Sequence, residues 1–243
     1  MNQTASASTN AEPVPEATRV VVFAKAPLAG VAKTRLIPAL GAQGAATLAR
    51  RMLAFTLEKA LLAHVGPVEL CMSPHAGDPA WQGIDIPNTV QRSAQGPGDL
   101  GDRMARAVQR CTSAHRHGVI LIGTDCPALT PAHVVQAARM LVQYDAVMLP
   151  ATDGGYVLLG LKAPCPEIFT AMPWSTAQVA ALTQQRLAQL GLRVWQGEAL
   201  QDIDEPADLA HIQSHHLMVE MGCSPHQTCA SSSQNNSKIG QPT

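Results

Sequence analysis

The chain has 243 residues, of which 46% are hydrophobic, 14% charged and only 3% aromatic, and its formal net charge is −1. That length allows one sizeable core, built mainly from Val, Leu, Ile, Ala and Met. The near-neutral balance excludes a protein that binds nucleic acid or another polyanion through its overall field, so any phosphate recognition must be local.

Residues 1–17 are rich in Ala, Ser, Thr, Asn and Pro and read as a flexible tail without the charged start and apolar stretch of a secretory signal. Arg19–Ala24 is an apolar β-run. A helix is expected over Ala42–Ala63, where Leu48, Met52, Phe55 and Lys59 recur at turn spacing. Val68–Met72 reads as a strand and Thr89–Arg92 as a short one. Leu100–Ala114 reads as a helix with Asp99 as its N-cap. Val119–Ile122 is a buried strand. Thr130-Pro131 has the pattern of an N-cap followed by proline at the first helical position, opening a helix to Gln143. Ala146–Leu149 and Tyr156–Leu161 are further strands. Ser175-Thr176-Ala177-Gln178 has capping-box spacing for a helix ending near Gly191. Leu192–Trp195 is a last strand and Pro206–Ser214 a last helix. From Met218 to the end the composition turns to Ser, Gln, Asn, Cys and Pro without periodicity. One domain over residues 18–217 is therefore expected, with tails at 1–17 and 218–243. Alternating strands and helices imply an α/β sandwich around a mostly parallel sheet. No run reaches the length of a membrane span. Six scattered cysteines suit reduced thiols, so a cytoplasmic location is expected.

Four constellations fall at strand ends, where open α/β sheets bind ligands. The first is Lys25-Ala26-Pro27-Leu28-Ala29-Gly30-Val31-Ala32-Lys33-Thr34-Arg35-Leu36. Its cations Lys25, Lys33 and Arg35 would repel one another without an anion between them, and a di- or triphosphate fits. A Walker A loop is excluded, because Ala32 and Pro27 stand where that motif needs glycine. A solvated loop with scattered lysines is the plainer alternative.

The second is Gln95-Gly96-Pro97-Gly98-Asp99, a glycine loop ahead of a helix start, where backbone N–H groups can approach an anion. It reads equally as an ordinary loop with a good cap. The third is Gly123-Thr124-Asp125-Cys126-Pro127 after the buried strand. Mg²⁺ takes one or two carboxylates plus phosphate oxygens, and Asp125 is such a carboxylate unless it only caps the turn. Cys126 has no evident histidine partner and reads as a small buried thiol. The fourth comprises Asp153-Gly154-Gly155-Tyr156 and Asp202-Ile203-Asp204-Glu205-Pro206. With Pro206 first in the helix, Glu205 is a poor cap and Asp204 is free for another role. Cys223, His226 and Cys229 are too isolated for a zinc site.

Together these motifs resemble the small bacterial transferases of the nucleotide-diphospho-sugar transferase superfamily, which have the GT-A fold and include radical-SAM/selenodomain-associated transferases. The likeness covers residue 19 to about 212 and extends, more distantly, to guanylyltransferases of molybdenum-cofactor and deazaflavin-cofactor synthesis. The resemblance implies a three-layer α/β sandwich with a mostly parallel mixed sheet. It implies a nucleotide or nucleotide-sugar donor, a small-molecule acceptor, and Mg²⁺ or Mn²⁺ held by Asp125 and Asp204. Lys25, Pro27, Gly30, Lys33 and Arg35, with Gln95, Gly96, Gly98 and Asp99, would contact the nucleotide. Lys33, Arg35 and Asp153 would act in catalysis, and Asp153, Gly154, Gly155 and Tyr156 would face the acceptor. Two departures stand out. Asp125 is followed by Cys126-Pro127 rather than completing Asp-x-Asp, and Glu205 replaces a capping threonine. Three functions compete: glycosyl transfer from an NDP-sugar, nucleotidyl transfer with release of pyrophosphate, and nucleotide binding without catalysis.

Overall fold

The computed structural model describes residues 18–114 and 118–212. Strands β1 (Arg19–Lys25), β2 (Val68–Ser73), β3 (Gln91–Ala94), β4 (Val119–Ile122), β5 (Ala146–Pro150), β6 (Tyr156–Leu161) and β7 (Val194–Gln196) form one seven-stranded sheet. Their spatial order is β3-β2-β1-β4-β6-β5-β7, and only β6 runs antiparallel to its neighbours. The helices are α1 (Ile37–Leu62), α2 (Leu100–Ala114), α3 (Pro131–Gln143), α4 (Val179–Gln189) and the single turn α5 (Leu209–Ile212).

Alternation along the central strands sorts the helices into two outer layers. Val20, Val22 and Ala24 of β1, with Ile120 and Ile122 of β4, pack on Leu53 and Leu57 of α1 and Val134 and Leu141 of α3. Val21, Val119 and Leu121 point the other way, onto Met104, Val108 and Cys111 of α2 and Leu187 of α4. Buried on both faces, these strands read as unbroken apolar runs, as a covered parallel sheet requires. The result is the three-layer mixed sandwich expected from the sequence. A third, smaller cluster joins Leu36, Leu48 and Met52 to Ile203 and Ile212, so the first loop and the last segment share one patch of core.

Most expected elements appear within two residues of their positions, and the differences have local causes. Helix α1 begins at Ile37, but Gly41 sits at φ 69° and breaks it, so the regular helix follows the glycine as its pattern indicates. Strand β3 is shifted to Gln91–Ala94 by its pairing with Glu69–Met72. Strand β7 is Val194–Gln196, paired with Ala146–Met148, rather than Leu192–Trp195. The capping box at Ser175–Gln178 does not form. Ser175 has φ 63°, Thr176 Oγ1 donates to the Pro173 carbonyl at 2.8 Å, and α4 starts only at Val179. After Pro206 the chain makes a 3-10 turn to Asp208 and then α5; the expected helix end at Ser214, both tails and Cys223, His226 and Cys229 lie outside the described residues.

An ion-pair network is buried inside this apolar frame. Glu69 of β2 is 2% exposed and accepts from Arg19 at 3.1 Å, from Arg110 at 2.8 and 2.5 Å and from Ser93 at 2.5 Å. The network stitches β1, β2, β3 and α2 together. Burial pushes the Glu69 carboxyl up, but the bonds from Arg110 and Ser93 and the charges of Arg110 and Arg19 outweigh it and hold it below the ordinary value. Removing one partner of a buried pair strands the others, so Glu69→Ala should destabilise the fold by about 3 kcal/mol in urea titrations. Because the folded carboxyl has the lower pKa, its stabilising contribution is full above the ordinary carboxylate range and fades as pH falls through the depressed value. The gap between wild type and Glu69→Ala should therefore narrow in acid.

Candidate active site

The parallel strands β1, β4 and β5 end on one edge of the sheet, and a cavity of about 770 Å³ opens there. That volume is in the range of small-molecule sites. The loop after β1, the Asp125 loop after β4, the turn between β5 and β6 and the extended segment 200–204 all border it. Segment 200–204 is fastened across the sheet edge. Leu200 N donates to Pro150 O at 2.9 Å, Thr152 N to Leu200 O at 3.1 Å, and Ile203 N to Asp125 O at 2.8 Å. Ile203 is fully buried, so Asp202 and Asp204 on either side of it are left along the cavity wall.

Within this frame the basic loop meets the acidic segment directly. Lys33 has left-handed backbone geometry (φ 51°) and a side chain only 6% exposed. Its Nζ lies 2.7 Å from Asp125 Oδ1 and 3.9 Å from Asp204 Oδ1, and it donates to the Ile203 carbonyl. Arg35 Nη1 lies 2.6 Å from Asp204 Oδ2. Leu36 and Ile203 pack beneath these pairs. Two of the three loop cations are thus neutralised by the chain's own carboxylates rather than left for a ligand alone. Lys25 also borders the cavity, whereas Pro27 and Gly30 shape the loop away from the lining, Gly30 with φ 77°.

Asp204 is available for this because its neighbours cap the next turn without it. Glu205 and Asp208 form a capping box at the start of the turn, and the Asp208 carboxylate accepts from Glu205 N at 2.8 Å and also from Asp204 N at 3.0 Å. Asp202, the first aspartate of the Asp202-Ile203-Asp204 run, lies on the same wall. Burial, then the negative charges of Asp153, Asp208 and Asp125, push its carboxyl up to about 6. Its signal was present in the Asp-x-Asp spacing around an apolar residue.

The glycine loop is mostly framework. Gln95 is 5% exposed, and its Nε2 donates to Ala24 O at 3.1 Å and Cys71 O at 3.0 Å. Asp99 caps α2 as expected, accepting from Asp102 N at 2.9 Å, with Asp102 Oδ2 accepting from Asp99 N at 3.2 Å. Gly96 and Gly98 have φ of 79° and 95°, and a Cβ on either would collide with Arg106 or Asp102. Of the four expected nucleotide contacts in this loop, only Gln95 reaches the cavity, beside Leu100 and Arg103.

Asp153 borders the cavity and accepts from Gly155 N at 2.8 Å. An adjoining hollow of about 120 Å³ is shared by Asp153, Gly155, Tyr156, Asp125, Cys126 and Asp202. Gly154 packs against Ala177, and Ala180 N donates to Gly154 O at 2.9 Å, which brings Trp174 and Ser175 over the cavity. The Tyr156 hydroxyl is buried beside Met104 Sδ at 3.8 Å and hydrogen-bonded to Thr183, and burial raises its pKa. Burial also pushes the Cys126 thiol up to about 11, so it stays protonated near neutrality and is no nucleophile there.

An oxygen cage already surrounds a cation at this site: two carboxylates and a backbone carbonyl converge on the Lys33 ammonium. Hard oxygen donors of this kind fit Mg²⁺ or Mn²⁺. Among the described residues no three His, Cys, Asp or Glu side chains cluster as a ready-made metal site. Asp125 and Asp204 would therefore need further oxygens from the ligand.

Residues 56–176 match the family described as "Uncharacterized protein conserved in bacteria (DUF2064)". A crystal structure of a "putative nucleotide-diphospho-sugar transferase" from Desulfovibrio desulfuricans G20 is 31% identical, with 80% of this chain and 85% of that one covered at a TM-score of 0.74. The chain belongs to the DUF2064 family. Its fold is that of the nucleotide-diphospho-sugar transferases and nucleotidyltransferases. A cytidylyltransferase from Leptospira borgpetersenii superposes with TM-score 0.54 at 11% identity, covering 82% of this chain and 86% of that one. CMP:2-keto-3-deoxy-manno-octonic acid synthetase complexed with CTP superposes with TM-score 0.50 at 16% identity, covering 83% and 98%. At those identities only the fold is shared. No curated protein matches the chain. Among the described residues no helix is long and apolar enough to cross a membrane.

The raised Asp202 carboxyl has a consequence for this family member's stability. Between pH about 4 and about 6 the folded chain keeps a proton that the unfolded chain has released, so stability falls as pH rises through that window. Asp202→Asn should therefore raise thermal stability at about pH 8, by ~1 kcal/mol once partial exposure is allowed for, and give no gain at about pH 3.5. Melting curves at the two pH values check it.

Proposed function

We propose that this protein is a metal-dependent transferase that takes a nucleotide-activated donor, with glycosyl transfer from an NDP-sugar as its reaction. The observation that carries the reading is the cleft itself. Lys25, Lys33, Arg35 and Arg103 line it together with the carboxylates of Asp125, Asp153, Asp202 and Asp204, beyond the carboxyl ends of parallel strands. The 31% identical relative and the CTP complex of the synthetase support a nucleotide as the ligand.

In this reading the donor's diphosphate lies among the cations of the cleft. The bond from the sugar carbon to the diphosphate oxygen breaks, and its electron pair leaves with the nucleoside diphosphate. Lys25, Lys33 and Arg35 would stabilise that charge as it develops. The acceptor hydroxyl forms the new bond and passes its proton to Asp153, whose orientation the Gly155 N–H fixes. Asp125 and Asp204 would hold Mg²⁺ or Mn²⁺, which would supply charge neutralisation at the diphosphate.

Nucleotidyl transfer is the second reading, favoured by the single carboxylate at the β4 end. Two residues after Asp125, where Asp-x-Asp has its second aspartate, stands Pro127. Release of pyrophosphate on mixing with nucleoside triphosphates and phosphorylated acceptors would select nucleotidyl transfer and reject glycosyl transfer. Donor turnover that vanishes in Asp125→Asn would reject nucleotide binding without catalysis.

Because Lys33 occupies the oxygen cage, a divalent ion must displace it. Mn²⁺ followed by electron paramagnetic resonance should bind weakly to the protein alone and about tenfold more tightly with a nucleoside diphosphate present, which draws Lys33 to the phosphate. Lys33→Met should bind Mn²⁺ more tightly than wild type without nucleotide, and bind nucleoside diphosphate less well. Unchanged Mn²⁺ affinity in Lys33→Met would show that the ion and the ammonium do not share the cage.

A further inference from the structure

We infer that Arg103 is a diphosphate-binding residue of the cleft, acting with Lys25. The inference rests on the nucleotide reading above and specifies which side chains hold the anion. Eight charged side chains border the cavity, four of each sign. Lys33 and Arg35 already face carboxylates at 2.7 and 2.6 Å. Among the described residues neither Lys25 nor Arg103 has a carboxylate within ion-pair distance. Before a ligand arrives, the positive charge not already paired with a carboxylate is therefore theirs.

Arg103 is also held in the posture a phosphate receptor needs. Its Nε donates to Gly98 O at 2.9 Å and its Nη1 to Gln95 Oε1 at 3.3 Å. Gln95 is in turn anchored through Nε2 on the carbonyls of Ala24 and Cys71, at the ends of β1 and in β2. Two of the five guanidinium N–H groups are spent on this clamp, and three remain on a side chain that borders the cavity. A guanidinium held at Nε and at one Nη1 N–H keeps both Nη2 N–H groups and the second Nη1 N–H for phosphate oxygens.

Arg106, one helical turn on, shows the contrast. It donates to Gln95 O and to Pro97 O at 2.9 Å, lies outside the cavity lining and braces the loop. Gly96 and Gly98 allow the loop to close onto Arg106 and Asp102 at distances a side chain would block. The glycine loop thus acts on the ligand through the arginine it positions. The ligand group assigned to Arg103 is the diphosphate, not the base.

The test is calorimetric titration of the full chain with UDP, CDP, GDP and ADP and with the four parent nucleosides. Arg103→Met should weaken the tightest diphosphate at least about tenfold and leave the matching nucleoside unchanged. Arg103→Lys, which keeps the charge without the fork, should weaken it by at least about threefold and keeps the inference testable should the methionine variant fail to fold. Arg106→Met should lower the melting temperature and keep the wild-type preference for diphosphate over nucleoside. Wild-type diphosphate affinity in Arg103→Met or Arg103→Lys, or equal losses for diphosphate and nucleoside, would overturn the inference. If Lys33→Ala weakens diphosphate binding while both Arg103 variants do not, this assignment fails and the nucleotide reading stands. If wild type binds none of the four diphosphates, the nucleotide reading fails and this assignment with it.

Discussion

The ammonium of Lys33 joins parts of the chain 170 residues apart. It is almost completely shielded, and an ammonium in that position is tolerable only because Asp125, Ile203 O and Asp204 surround it. The consequences spread outward. The loop after β1 is pulled over the sheet edge, Leu36 is seated against Ile203, and segment 200–204 is drawn along the end of β4. The cleft exists in its observed shape because these contacts close one wall of it. A cation supplied by the protein thus stands where the family resemblance would put a metal.

This arrangement changes how the charges of the cleft are understood. Three nearby cations on a loop suggest an unmet need for an anion. Folding meets most of that need internally, by crossing the basic loop with an acidic segment from the far end of the domain. Among the described residues, what remains unpaired is Lys25 and Arg103 of the cations and Asp153 and Asp202 of the aspartates, with burial and then the Asp153 charge raising the Asp202 pKa. A cleft lined in this way offers contacts both to an anion and to hydroxyl groups. Electrostatics of this kind matters most where side chains are fixed beforehand, because no reorganisation is then needed as charge moves.

Two buried polar networks do comparable work on the scaffold. Glu69 ties β1, β2, β3 and α2 together at one side of the sheet, and Gln95 ties β1 to β2 under the cleft. Each is satisfied by several partners, which is the condition under which a buried polar group specifies a structure rather than weakening it. The Gln95 network also continues outward through Arg103, so one residue serves both framework and site.

The sequence by itself determined the layered α/β class, the helices opened by Asp99 and Thr130, and the strand ends that border the cleft. Those features depend on local periodicity and capping, which are written in consecutive residues. It also pointed to Lys33, Asp125, Asp153 and Asp204, all of which border the cavity. It placed the start of α4 wrongly, since Ser175 and Thr176 have good capping chemistry that the turn over the cavity diverts. Only the tertiary structure decided that Gln95 braces the sheet, that Arg103 reaches the cavity, that Asp202 shares its wall, and that Lys33 and Arg35 pair with aspartates. These outcomes depend on contacts between residues dozens to well over a hundred positions apart. Pairing of that range leaves no periodic trace in the chain, because it is set by which strands become neighbours in the sheet.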